Sequence, residues 1–268
     1  MVRSVRALDV QAGNASPVRR PQRNLLRVNG TLARDIGIAI VSGKLRPGHV
    51  LDGEVEASQR WKVSRNTYRE SLRMMVAKGL LTSRTRTGTR VTDPADWHLL
   101  DPDVLSWMFS GIPQPELIHG VFELRSVVEP AAAALAAGRR TQRHLEDMRH
   151  ALEEMARHTL DQPEGRDADQ AFHAALLAAT GNPFMISLTN GVTAAVDALT
   201  LFKQRLVKIT RDPVPDHWRV FDAVAAKDAD AARDAMTRLI RLAILDMPKE
   251  QRPKSWRGGA QSSSGNPT

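Results

Sequence analysis

Between Leu25 and Thr92 the chain is punctuated so closely that few folds can accommodate it. Leu32, Ile36, Ala39 and Ile40 recur at helical spacing from Leu25 to about Ser42, and Gly43, Pro47 and Gly48 close that element. Val55 to Arg60 reads as a short second helix. Ser64 then offers an N-cap oxygen, with Tyr68, Leu72, Met75 and Val76 following at helical intervals. Gly79 is placed to take the left-handed conformation that ends a helix. Leu80–Arg84 and Thr89–Thr92 are short β-like runs around a Thr87-Gly88 turn. Three helices and a hairpin in this order predict a winged helix-turn-helix over residues 25–93.

Charge is segregated in the same way. Residues 1–92 carry 18 Lys and Arg against 6 Asp and Glu, a net of +12, whereas 93–268 carry 20 against 24, a net of −4. A segregated excess of base implies that one part of the chain meets a polyanion. The basic part lacks a long amphipathic helix with an aromatic-rich face, which favours nucleic acid over an anionic membrane. Residues 1–24, Arg-rich with Pro17 and Pro21, read as a disordered basic arm.

The character changes at Asp93-Pro94. Residues 94–114 read as a linker with a connecting helix, opened by Asp101 as N-cap and Pro102 at the first helical position. Helical stretches follow at about 115–138, 142–160, 166–180, 183–207, 215–226 and 229–247, with strand signals nearly absent. The expected fold class is therefore mainly α: the winged domain, then an all-α bundle of six or seven helices over 115–248. Residues 249–268, mostly Gly, Ser, Pro and Lys, read as a disordered tail. The chain has no cysteine, so disulfides and thiolate metal sites are excluded. It also lacks a signal-peptide pattern and any apolar run near the ~20 residues that span a bilayer. The expected compartment is the cytoplasm.

Two polar groups carry candidate chemistry. Ser64-Arg65-Asn66-Thr67 opens the third helix and Arg69 lies one turn on, where a recognition helix meets base edges. Arg65 suits bidentate pairing with guanine and Asn66 suits adenine or a phosphate, while the Ser64 and Thr67 hydroxyls suit phosphate oxygens. Arg84, Arg86 and Arg90 on the wing, and Arg34 on the first helix, suit the backbone or the minor groove. A solvated basic face is the bland alternative for an isolated run; the order of elements around this one reverses that preference.

In the helical half, Arg125 lies between Leu124, Val127 and Val128, and taken alone reads as snorkelling to solvent rather than aimed at an interior anion. Pro130 is expected to kink its helix. Asp169 and His173, four apart, share a helix face with Phe172 and Leu176 close by, and His217 follows in a later helix. One carboxylate and two imidazoles suit zinc, manganese or nickel, although a cap, a salt bridge or a satisfied core histidine is the simpler reading of Asp-x3-His.

The segments Ser42–Gly48, Val63–Arg73, Gly79-Leu80-Leu81 and Gly88–Val91 together resemble the GntR family of bacterial regulators. The resemblance implies operator contacts at Ser64, Arg65, Thr67 and Arg69. It departs at Asp52-Gly53-Glu54, where the family usually has Pro-Ser-Glu, and at Val55, where some relatives carry a basic residue. The helical half resembles the FCD effector domain of the FadR branch, through Arg125 with Glu129-Pro130, Asp169 with Phe172-His173, Asn182-Pro183, His217 and Asp228–Ala232. That implies a divalent metal on Asp169, His173 and His217, with a third histidine at a position that here is Leu239. Trp97, Leu100–Leu105 and Trp107 resemble the linker of the galactonate and other sugar-acid repressors, which implies an acid effector paired with Arg125 and hydroxyl contacts from Asp169, His173, His217, Ser187 and Thr193. The resulting expectation is a homodimer that binds a palindromic double-stranded operator and is released by a small carboxylate, with no membrane partner and no catalytic residues. A metal-dependent hydrolase using Asp169, His173 and His217, and an effector-independent architectural DNA-binding protein, are the rival readings.

Overall fold

The computed structural model describes residues 22–84, 88–207 and 211–252, with side chains from 30 onward. The first helix, α1 (Gln22–Val41), reaches into the segment read as an arm, the rest of which lies outside the described residues. Leu32, Ile36 and Ile40 bury one stripe of it. The short helix α2 (Glu54–Trp61) begins after Gly53, whose N–H donates to Glu56 Oε2 at 3.2 Å. The third, α3 (Arg65–Ala77), is capped by Ser64, whose Oγ accepts the Thr67 N–H at 3.0 Å. It ends at Gly79 in a left-handed conformation (φ 75°), where a Cβ would meet the Asp96 carbonyl oxygen at 2.2 Å. The hairpin β1 (Leu81–Arg84) and β2 (Gly88–Val91) pairs antiparallel, Leu81 opposite Val91 and Arg84 opposite Gly88. Tyr68, Met75, Leu80 and Val91 join the α1 stripe in one small core.

A 3-10 turn (Pro94–Asp96) leads to α4 (Pro102–Met108), with Asp101 as N-cap accepting from the Asp103 and Val104 N–H groups. This helix belongs to two cores. Val104 and Trp107 pack with the winged-domain residues, whereas Leu105 and Phe109 pack into the helical domain. Trp107 lies directly on the α1 backbone at Gly37, where a Cβ would stand 2.3 Å from the indole. The segment read as a linker is thus a shared structural element.

The helical domain is formed by α5 (Pro115–Arg139), α6 (Gln142–His158), α7 (Pro163–Ala179), α8 (Pro183–Ser187), α9 (Thr189–Leu206), α10 (Val214–Ala225) and α11 (Ala229–Leu245). Its core holds Ile118, Phe122, Met148, Leu152, Phe172, Leu176, Phe202, Val220, Met236 and Ile240. The α5 helix continues through Pro130. Where the sequence predicts one helix over 183–207, the chain breaks at Leu188. There the Ser187 hydroxyl bonds the Phe184 carbonyl at 2.7 Å, a local alternative to the helical ladder. Ordered chain also extends past 249: Lys249–Gln251 forms a 3-10 turn and Arg252 donates to the Leu245 and Met247 carbonyls. Among the described residues no helix is long and apolar enough to cross a membrane.

Candidate DNA-reading surface and effector site

On α3, Arg65, Asn66 and Arg69 are exposed together, and Arg69 Nη2 donates to Asn66 Oδ1 at 3.0 Å. Thr67 is buried, its hydroxyl 2.9 Å from Ser64 Oγ, so this residue supports the cap rather than presenting its oxygen outward. Tyr68 is interior as well and donates to the Asp52 carbonyl at 3.1 Å, tying α3 to the start of α2. Val55 on α2 is exposed. On the wing, Arg84 is exposed on β1, and Arg90, exposed on β2, donates to the Gly48 carbonyl at 3.2 Å. Arg86 lies outside the described residues. Arg34 is placed elsewhere: it lines a cleft of about 470 Å³ with Ser106 of α4 and its C-cap Phe109, Gln170 of α7 and Asp197 and Arg205 of α9.

The second site is assembled from three helices. α7 supplies Asp169 and His173, one turn apart, and α10 supplies His217; all three are buried, with one possible ligand atom from each lying within 4.8 Å of the others. Pro213 precedes α10, and its carbonyl lies 2.9 Å from His217 Nδ1. A carbonyl only accepts, so in the neutral ring Nδ1 carries the proton and Nε2 carries a lone pair. That Nε2 lies 3.1 Å from Asp169 Oδ1 and has no hydrogen-bond partner. His173 Nε2 is 3.7 Å from the same carboxylate oxygen. Two imidazoles converging on one buried carboxylate oxygen form a donor set that fits a divalent cation.

α5 contributes the next shell and corrects the snorkelling expectation. Arg125 is only 5% exposed, and its Nε donates to Glu129 Oε1 at 2.6 Å, an interior anion one turn away on the same helix. Glu129 Oε2 in turn lies 2.8 Å from His173 Nδ1, near but off the ring N–H direction. Burial alone pushes the Glu129 carboxyl up, but Arg125 and His173 together hold it down at about 2. Asp169 is likewise held below its ordinary value: burial raises it, and the nearby His217, His173 and Arg125 more than offset that. Glu129 is the residue that sequence reasoning missed; its spacing of four from Arg125 was the available signal.

The remaining expected contacts divide. Leu239 is buried in the apolar core, so the metal-competent group comprises three protein ligands among the described residues. Thr193 is half-buried and donates to the Thr189 carbonyl at 3.0 Å. Ser187 is exposed on α8.

Residues 29–91 match the model for bacterial regulatory proteins of the gntR family, and residues 120–242 match the FCD domain. The galactonate operon transcriptional repressor of Escherichia coli (strain K12) is 33% identical over 208 residues, which cover 76% of this chain and 90% of that protein. This chain belongs to the GntR family. The HTH-type transcriptional regulator LutR of Bacillus subtilis (strain 168) is 30% identical over 203 residues, covering 74% of this chain and 90% of the relative. A solved structure of Lar, which controls the expression of the Listeria monocytogenes agr system, superposes with a TM-score of 0.60 at 17% identity, covering 85% of this chain and 98% of that one, and so shares the fold. GntR regulators act as dimers that bind operator DNA through the winged domain and an effector through the FCD domain. This GntR chain is a sequence-specific DNA-binding transcription regulator with a buried Asp/His/His group able to bind a metal.

Proposed function

We propose that this GntR protein is a repressor whose hold on a palindromic operator is released by a small carboxylic acid, a sugar acid above all, bound beside a metal at the Asp169–His173–His217 cluster. The observation that carries the reading is the Asp169–His217 pair. A carboxylate oxygen and an imidazole lone pair face each other at 3.1 Å in the interior, with the ring proton committed to Pro213 on the opposite side. A cation relieves that opposition, and the Pro213 carbonyl is the kind of outer partner that orients a metal-bound histidine.

Asp169, His173 and His217 would hold zinc, manganese or nickel, which supplies positive charge and open coordination positions when bound. With Leu239 in place of a further ligand, those open positions are available to oxygens of the acid. Glu129 takes Arg125 Nε and, at 3.5 Å, Nη2, leaving Nη1 and the second hydrogen of Nη2 to meet a carboxylate. Arg65, Asn66 and Arg69 read base edges, and Arg84, Arg86 and Arg90 hold the backbone. Two readers related by a two-fold axis match a two-fold operator, and the acid shifts the equilibrium only through a different affinity for the two placements of those readers. The protein acts where its operator is, in the cytoplasm.

A metal-dependent hydrolase needs a carboxylate or imidazole free to activate water. The carboxylates at this cluster already face Arg125 and the histidines. An architectural protein would have no use for a charged interior of this kind.

Mobility shift on DNA upstream of its own coding region, in the presence of zinc and with or without sugar acids, tests the reading. A specific shift lost on adding one acid is expected. Absence of a sequence-specific shift sinks the DNA-reading assignment, a shift indifferent to every acid and metal favours the architectural protein, and turnover of an acid favours the hydrolase.

A further inference from the structure

The cleft that holds Arg34 lies where the winged and helical domains meet. Ala194, Asp197, Ala198, Leu201 and Arg205 recur at helical intervals along α9, so one continuous face of that helix forms a wall. Ser106 of α4 and its C-cap Phe109 line the same space, Gln170 comes from α7, and Arg34 comes from α1 of the reader. At about 470 Å³ the cleft is large enough for a small molecule, and such sites favour domain boundaries.

Three polar side chains on this cleft lack full partners. Arg34 is exposed and has neither a hydrogen bond nor an ion pair among the described residues. Gln170 is half-buried and likewise has no hydrogen bond among them, so its amide is able to donate and accept. Asp197, also half-buried, has one ion contact among the described residues, Arg166 Nε at 3.5 Å. That arginine already donates to the Leu160 and Asp161 carbonyls. Burial pushes the Asp197 carboxyl above its ordinary value, and Arg166 offsets only part of that. Arg205, by contrast, is committed to the carbonyls of Phe109, Ser110 and Gly111. No ion pair joins Arg34 to Asp197, so the cleft presents one uncommitted cation and one weakly paired anion. A half-buried carboxylate without hydrogen bonds is where the N–H groups of a ligand add most.

We propose that this cleft is a second small-molecule site, suited to a zwitterionic α-amino acid with an aliphatic side chain. The ligand ammonium meets Asp197, its carboxylate meets Arg34, and Gln170 bonds either group. Ala194, Ala198 and Leu201 offer the aliphatic side chain an apolar wall. A simple carboxylate meets Arg34 but brings nothing to Asp197, and a simple amine does the reverse. None of Asp169, His173 and His217 lines the cleft, so the proposal stands whether or not an acid binds at that cluster.

Calorimetric titration of the full-length protein with leucine, 4-methylpentanoate and 3-methylbutylamine tests it. Leucine should bind, and each analogue, lacking one charge, should bind more weakly by about tenfold or more. Asp197→Asn should weaken leucine by about tenfold or more and leave 4-methylpentanoate no weaker. Arg34→Met should weaken leucine to the same degree and spare 3-methylbutylamine. A merely structural role for either residue would not produce that split. His217→Ala, its fold checked by its melt, should bind leucine within about twofold of the wild type, which separates this cleft from the metal-competent cluster. The proposal is overturned if leucine does not bind, or if an analogue binds as well as leucine. It is equally overturned if either cleft variant binds leucine as the wild type does, or weakens leucine and both analogues alike. Loss of leucine binding in His217→Ala overturns it too, because the amino acid then sits at the cluster.

Discussion

Lys78, the residue that closes the recognition helix α3, donates to both carboxylate oxygens of Asp101, at 2.7 and 2.9 Å, and Asp101 is the cap that opens α4. Lys78 Nζ also lies 2.8 Å from Asp103. At the other end of α4, Arg205 of α9 donates to the Ser110 carbonyl at 2.8 Å and to that of Phe109. One short helix is therefore gripped by the DNA reader at its start and by the effector domain at its finish. Arg205 stands on α9, which also packs against the α7 helix that carries Asp169 and His173, so a displacement of α9 would reach α4 and, through it, α3.

The Lys78 contact gives a pH dependence. Burial alone lowers its pKa, but hydrogen bonds and charge from Asp101 and Asp103 raise it above 10.5. A pKa raised in the folded state gives stability that is fully present below about 10.5 and lost as pH climbs through the folded value. Denaturant melts between pH 9 and 12 should show that decline, and Lys78→Met should flatten it. An unchanged alkaline slope in the variant would show that Lys78 is not its source.

Arg125 is expected to be indispensable in two separable ways. Arg125→Ala leaves Glu129 buried beside His173 without its cation and should cost about 3–5 kcal/mol. Arg125→Lys keeps a cation there but loses the planar fork, so it should melt closer to the wild type while weakening the acid about tenfold or more. Thermal melts and acid titrations on both variants check this.

Metal removal should destabilise the helical domain. A chelator is expected to lower the melting temperature on the order of 5 °C, and zinc, manganese or nickel should restore it. In His217→Ala neither addition should move the melt.

On the DNA side, Arg65→Ala and Arg69→Ala should each cost about 1–3 kcal/mol and relax base preference at one operator position. Arg84→Ala should instead weaken all sequences alike and reduce the salt slope of binding by about 1. Binding isotherms at several salt concentrations separate the two classes.

The parts legible in the sequence were those set by local chemistry. Ser64, Gly79, Asp101 and Pro102 act within a turn of themselves, and the elements they bound begin and end beside them. Asp169 and His173 were legible because a spacing of four shares a face on any helix. Arg125 was misread because its apolar neighbours suggested the wrong face: Val127 is 72% exposed while Arg125 is 5% exposed. Only the approach of His173 from another helix reveals which side of α5 is interior. Arg34 on a cleft with α4, α7 and α9, and the division of α4 between two cores, depend on packing between distant segments, which no short-range pattern records.

Trp107 seated on Gly37, with Val104 beside it and Leu105 and Phe109 turned the other way, has a thermodynamic consequence. Neither half can melt without stripping α4 from the other, so heat absorption on unfolding should appear as one endotherm rather than two. A chain cut between residues 93 and 102 would forfeit that mutual support on both sides of the cut.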